Sequence, residues 1–187
     1  MCIRDSVRTE PDKARSLLID FSNYYRQTLS DSDTLTTLEH EVEQGTRYIN
    51  LMQARYGDGR LRVSVDIDFE VRDCMVPPFI LQPLLENCIK HAQRETEPLS
   101  IHVRAFETDD GLEIIVEDDG IGMSEEFQKR MFEPFTQENA GARSVYGGTG
   151  LGMSITKSLV DKMGGTIGVE SRQGVGTTYT CLLYTSD

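Results

Sequence analysis

The chain has 187 residues, 38% of them hydrophobic and 27% charged, which suits one soluble domain or one domain with a helical extension. A formal net charge of −12 without a basic stripe argues against nucleic acid or an anionic membrane as the main partner. No window approaches the roughly 18–20 apolar residues that span a bilayer, and Met1 to Ser6 lacks the apolar run of a signal peptide.

Residues 1–6 and 181–187 fit neither flanking pattern; they resemble read-through scars and are set aside as non-native ends. The cysteines Cys2, Cys74, Cys88 and Cys181 show no CxxC or Cys/His spacing, so no zinc site is expected and reduced thiols are. Cys88 falls inside an apolar helical pattern and reads as a small hydrophobe.

In chain order, residues 12–30 read as an amphipathic helix with Leu17, Leu18, Phe21, Tyr24, Tyr25 and Leu29 on one face. After Asp31-Ser32-Asp33, Thr36 or Thr37 caps a second helix, with Glu39 placed for a capping box. Its stripe, Leu38, Val42, Gly45, Ile49, Met52 and Tyr56, steps like a coiled-coil seam and stops at Gly57-Asp58-Gly59. Two such helices would form an antiparallel hairpin. Leu61 to Phe69 then alternates as a half-buried strand. Pro77-Pro78 opens a helix reaching about Ala92, which Pro83 bends or delays. Ile101 to Phe106 and Leu112 to Glu117 alternate as strands about the turn Asp109-Asp110-Gly111. Ser124 caps a short helix from Glu125 to Met131, and residues 133–148 form a glycine-rich loop. A helix from about Leu151 to Met163 stops at Gly164-Gly165, and strands Thr166 to Ser171 and Thr177 to Leu182 follow. Helices first, then mixed strands and helices, describe an α+β fold: a two-layer α/β sandwich behind a helical hairpin.

Four motifs carry the chemistry. Asn87, Lys90 and His91 share one helix face; an amide oxygen suits Mg²⁺ and Lys90 suits phosphate, while the alternative is a helix exposing polar residues to solvent. Asp118-Asp119-Gly120-Ile121-Gly122 comes straight off an apolar strand. A carboxylate there can accept from an amino group such as adenine N6 while the glycines let backbone approach the ring; the alternative is an acidic turn. Of the two acids, Asp119 is the one expected to face solvent. Gly148-Thr149-Gly150-Leu151-Gly152 runs into a helix N-terminus that suits phosphate, without the spacing of a Walker A loop or a dinucleotide fingerprint. Gly174-Val175-Gly176-Thr177 closes the set. Phe132-Glu133-Pro134-Phe135 reads as a hydrophobic hinge or docking knob, or as plain core. Arg143 either reaches a γ-phosphate when the loop closes or stays solvated. His40-Glu41 lacks the basic residue and proline that follow a phosphoacceptor histidine, and His102 has no partner in view.

With these residues together, the chain resembles the ATP-binding domain of sensor histidine kinases, a Bergerat fold shared with gyrase, a heat-shock chaperone and mismatch-repair ATPases. Glu86-Asn87 to His91 looks like its N box, Asp118-x-Gly120-x-Gly122 its G1 box, Phe132 to Phe135 its F box, and Gly148-x-Gly150-x-Gly152 its G2 box. The N-terminal part is similar to the autolysin-regulator type, on Tyr24-Tyr25-Arg26, Leu38 to Asp58 and Val76 to Asn87. The resemblance implies a mixed sheet with helices on one face, dimerisation helices over residues 7–58 and a catalytic domain over 59–183. It implies ATP and Mg²⁺ as ligands and γ-phosphoryl transfer to a histidine, then to an aspartate of a response regulator receiver domain. It assigns Asn87 to Mg²⁺, Lys90, His91 and Arg143 to phosphates, and Asp118, Gly120, Gly122 and Thr177 to the adenine side. Gly148, Gly150, Leu151 and Gly152 fall to the phosphate lid, and Glu86 to polarising the attacking imidazole. It places the acceptor in an Asn-Pro-His-Phe-like motif upstream, so this stretch alone is not expected to autophosphorylate. It further implies a homodimer through the N-terminal helices and a cytoplasmic location, with an inner-membrane anchor upstream. A non-catalytic ATP-binding module and an anti-sigma-type serine kinase are the alternatives.

Overall fold

The computed structural model describes residues 35–56, 59–91, 97–137 and 150–184, apart from the side chains of Arg55 and His91. The expected helix over 12–30 lies outside the described residues. The elements are β1 (Thr36–Thr37), α1 (Leu38–Tyr56), β2 (Leu61–Ile67), a 3₁₀ turn (Phe69–Val71), β3 (Met75–Val76), α2 (Gln82–His91), β4 (Leu99–Thr108), β5 (Gly111–Asp118), α3 (Glu125–Gln128), α4 (Gly152–Lys162), β6 (Thr166–Arg172) and β7 (Gly176–Leu183).

Alternation in the strands builds the sheet. Its five strands run in the order β2-β4-β5-β7-β6; β2 and β4 are parallel and every other pair is antiparallel. One face carries Leu99, Ile101, Val103, Leu112, Ile114, Val116, Tyr179, Cys181 and Leu183, all buried, and α1, α2 and α4 pack over it. The expected two-layer arrangement with a mixed sheet is therefore present. The other face is polar: Ser64 meets His102 there at 2.6 Å, giving that histidine the partner its sequence does not reveal.

Helix α1 buries Leu38, Ile49 and Met52 of its stripe in the same core as the sheet, while the helix expected to pair with it lies outside the described residues. Gly45 explains how close the approach is: a Cβ there would stand 2.8 Å from Leu85 Cδ1 of α2. Thr37 is the cap, its hydroxyl accepting from the His40 N–H at 3.3 Å. That puts Glu39 one position short of the capping-box site, and it pairs instead with Arg72 at 2.9 Å. Thr36 and Thr37 also pair with Val76 and Met75, a two-stranded ladder too short to show in the sequence.

Three other boundaries shift. Helix α2 starts at Gln82, not at the paired prolines, because Phe79 adopts φ 65° and Pro83 occupies the first turn, where its missing N–H costs nothing. Ser124 caps α3 as expected, accepting from Phe127 N–H at 3.2 Å, but that helix is four residues long and stops at Gln128. Strand β7 runs to Leu183, one residue past the expected end: Cys181 opposes Ile114, Leu183 opposes Leu112, and burial lifts the Cys181 thiol to about 12.

Glu41 is the least expected core residue, 5% exposed. Its carboxylate accepts from the N–H of Phe79 at 2.9 Å and of Leu81 at 3.4 Å, clamping the strained entry of α2 to α1. Glu41→Ala would orphan the buried Leu81 donor and the part-buried one of Phe79, and urea denaturation should show a loss of about 1–3 kcal/mol. Burial raises the Glu41 pKa above its ordinary value, the N–H bonds and the His40 charge opposing it. With the folded value above the unfolded one, this group's contribution to stability should rise as pH falls through the folded pKa. Glu41→Gln should remove that slope.

Candidate nucleotide-binding site

Strand parity decides where the acids go. Leu112, Ile114 and Val116 face the helices, so Asp118 does too and is 4% exposed, while Asp119 turns outward and accepts from the Ser100 N–H at 2.8 Å. Asp118 Oδ1 accepts from the Gly120 N–H at 2.9 Å; the Cys88 thiol and the Thr177 N–H are its other donors. Burial raises the Asp118 pKa, Asp119 adds to the shift, and the three donors oppose it. Cys88 is thus more than a small hydrophobe: its burial first, and the Asp118 carboxylate it lies against second, hold its thiol protonated.

The backbone around Asp118 is closed by glycine. Gly122, at φ 66°, would put a Cβ 2.1 Å from Arg172 O, and Gly176, at φ 146°, would put one 2.0 Å from Asp118 O. Only glycine tolerates both the dihedral and the approach. The G1-like turn and the last glycine motif are further joined by the Gly174 N–H to Ile121 O bond, 2.8 Å. Thr177, opposite Asp118 in the β5–β7 register, is 5% exposed, with its hydroxyl 3.0 Å from Ser171 Oγ.

Helix α2 lies across this end of the sheet. Asn87 is half-buried and hydrogen-bonded to the hydroxyl of Tyr179, itself 3% exposed. Glu86 accepts from Lys90 at 2.6 Å and from Gln82 at 2.9 Å, so both of its oxygens and the Lys90 charge are engaged with one another. His91 ends the helix, its side chain outside the described residues. The first turn of α2 adjoins α4: a Cβ on Gly152 would lie 3.4 Å from that of Pro83. Leu151, 8% exposed, precedes Gly152 at the start of α4. Gly150, at φ 71°, accepts from the Phe135 N–H at 2.9 Å, so the F-box-like segment is stitched to the G2-like one. Phe132 packs on the core and Phe135 is 72% exposed, which divides the knob and core readings between the two rings. Gly148 and Arg143 lie outside the described residues.

The chain thus brings Asn87, Asp118, Gly120, Gly122, Gly176 and Thr177 to one end of the sheet, with Gly150 to Gly152 alongside α2. Sequence reasoning missed Tyr179, Cys88, Ser171 and Gln128 as contributors. The first was open to parity, standing two residues after Thr177 on the same strand face. Among the described residues no group of three or more His, Cys, Asp or Glu side chains is placed to hold a metal, and no helix is long and apolar enough to cross a membrane.

A family model described as histidine kinase-, DNA gyrase B-, and HSP90-like ATPase matches residues 79–186, and one described as histidine kinase matches residues 1–61. The sensor histidine kinase/phosphatase LytS of Staphylococcus aureus is 34% identical over 181 residues, 95% of this chain. The chain spans only 30% of the length of that relative. Among solved structures, the mycobacterial sensor histidine kinase MprB is similar with a TM-score of 0.62 and 22% identity, over 81% of this chain and 97% of that one. Full-length ShkA in complex with AMPPNP gives a TM-score of 0.69 and 21% identity, over 98% of this chain and 40% of that one. These two show the fold. On the strength of the match over residues 79–186, the chain belongs to the histidine kinase-, DNA gyrase B- and HSP90-like ATPase family.

Proposed function

We propose that this protein is the ATP-binding part of a two-component sensor histidine kinase, passing the γ-phosphoryl group of ATP to a histidine and from there to a response regulator aspartate. The observation that carries the reading is Asp118: a carboxylate 4% exposed, ringed by glycine-enforced backbone approaches and in contact with Cys88, the residue after Asn87 on α2. A buried acceptor of that kind is satisfied by an amino group such as the one on adenine. The LytS and histidine kinase matches favour transfer to histidine over the other chemistries of the family.

The residues suit a magnesium-bound triphosphate. Mg²⁺ takes few protein ligands and keeps water and phosphate for the rest, so one amide oxygen, Asn87 held by Tyr179, is an adequate protein share. When bound, the ion neutralises phosphate charge. Lys90, and by the family resemblance His91, Arg143 and Gly148, are assigned to the phosphates. Glu86, already bonded to Lys90 and Gln82, is set to orient the incoming imidazole. The N-terminal part, which the histidine kinase model matches over residues 1–61, is read as the segment that carries the homodimer contacts in the parent protein.

The test is phosphoryl transfer in the full-length parent protein. Incubation with γ-labelled ATP should give acid-labile, alkali-stable phosphate, and Asn87→Ala should lower its rate by about 100-fold or more. Acid-stable label on serine would sink the histidine assignment.

A further inference from the structure

The hydrogen-bond geometry points to Ser171 as the residue that sets nucleobase specificity, by fixing the proton of the Thr177 hydroxyl so that Thr177 can only accept at the base. This rests on the ATP-pocket reading above and goes one residue beyond it. Ser171 Oγ has one proton and two lone pairs. It lies 2.9 Å from Gly176 O, a carbonyl that can only accept, so the proton is committed there. It lies 2.8 Å from the Met123 N–H, a group that can only donate, which takes one lone pair. The remaining contact, 3.0 Å to Thr177 Oγ1, must then have Thr177 as donor. The hydroxyl proton of Thr177 is then committed to Ser171, its oxygen is left to act as an acceptor, and Asp118 is its partner across the β5–β7 ladder.

Ser171 itself is held from outside. Its N–H donates to Gln128 Oε1 at 3.1 Å and its carbonyl accepts from Gln128 Nε2 at 2.9 Å, so the side chain of Gln128 pairs with edge strand β6 as another strand would. Gln128 Nε2 also reaches Met123 O at 3.2 Å. These bonds fix the backbone at Ser171 and at Met123, while the Met123 N–H and the Gly176 carbonyl fix the donor and acceptor roles of the serine hydroxyl.

The pocket therefore presents two neighbouring acceptors, the Asp118 carboxylate and Thr177 Oγ1. An exocyclic amino group carries two N–H bonds and can satisfy both; the 6-oxo group of inosine or guanine carries none and would face two acceptors. Ser171 is a positioning residue in this scheme, acting through Thr177.

Equilibrium binding of ATP and of inosine triphosphate, measured by calorimetry at constant Mg²⁺, separates this role from a structural one. The wild-type chain should prefer ATP, Ser171→Ala should shrink the ratio of affinities by roughly tenfold, and Ser171→Thr should restore it. Ser171→Ala added to Thr177→Val should change the ratio no further, because the serine would have nothing left to orient. Equal weakening of both nucleotides, or an unchanged ratio, would overturn the inference while leaving the pocket in place. Failure of the wild type to bind ATP would overturn the pocket reading itself, and this inference with it.

Discussion

Asp118→Asn should abolish detectable Mg-ATP binding, a loss of at least about 100-fold in affinity, while the chain stays folded. The substitution is nearly isosteric, so packing beneath α2 is kept. The hydrogen bonds are not. Asp118 takes the N–H groups of Gly120 and Thr177, both fixed by the backbone. An asparagine must turn its single oxygen toward those donors and present its NH₂ elsewhere. The amide would then meet the nucleotide's amino group donor to donor, at a site too buried for water to compensate. Leaving such groups unpaired costs about 1–3 kcal/mol each, more where a charge is lost, which gives the 100-fold figure. Calorimetry checks it, with circular dichroism to establish that the variant is folded. Affinity within threefold of wild type would remove Asp118 from the site.

Gly176→Ala should have the largest effect on the fold. The Cβ would sit 2.0 Å from Asp118 O and 3.1 Å from Asp119 Cα, both backbone and neither able to swing aside, at a φ of 146° that alanine rarely adopts. Backbone strain alone costs on the order of 1–3 kcal/mol, and the clash must additionally part β7 from the end of β5. A drop of about 3–5 kcal/mol in unfolding free energy is expected, together with loss of nucleotide binding. Gly174→Ala is the control: no atom lies within 4 Å of its Cβ, so only the strain of φ 78° remains and the loss should be nearer 1 kcal/mol. Similar losses at the two positions would mean that the close approach to Asp118 is not what Gly176 provides.

The sheet was legible because alternation is a local signal. Leu112, Ile114 and Val116 announced the buried face of β5, and the same count put Asp118 inside and Asp119 outside. Where the reading failed, the deciding contact was distant in sequence. The seam of α1 looked like half of a coiled coil because Leu38, Gly45, Ile49 and Met52 have that spacing; nothing in their order says that the partner is Leu85 and the sheet. Glu41 is 38 residues from Phe79, whose N–H it accepts, so its role was invisible. The late start of α2 depends on Phe79 at positive φ, a conformation that no composition rule assigns to phenylalanine.

The strand expected from Thr177 to Leu182 is β7, one residue longer at each end, because Tyr179, Cys181 and Leu183 continue the alternation that begins at Thr177. At the site the glycine motifs were plain, but the side chains that hold them were not. Ser171 and Gln128 are common polar residues with no motif of their own, 43 positions apart, and they meet only once β6 lies beside α3.

Everything proposed for this cleft turns on whether it takes a magnesium-bound adenine nucleotide. Titration of the chain with AMPPNP, with and without Mg²⁺, tests this most directly. The account predicts saturable one-to-one binding that weakens by about tenfold or more when Mg²⁺ is removed, and loses that magnesium dependence in Asn87→Ala. Absence of binding, or binding equally tight without the metal and unaffected by Asn87→Ala, would contradict it.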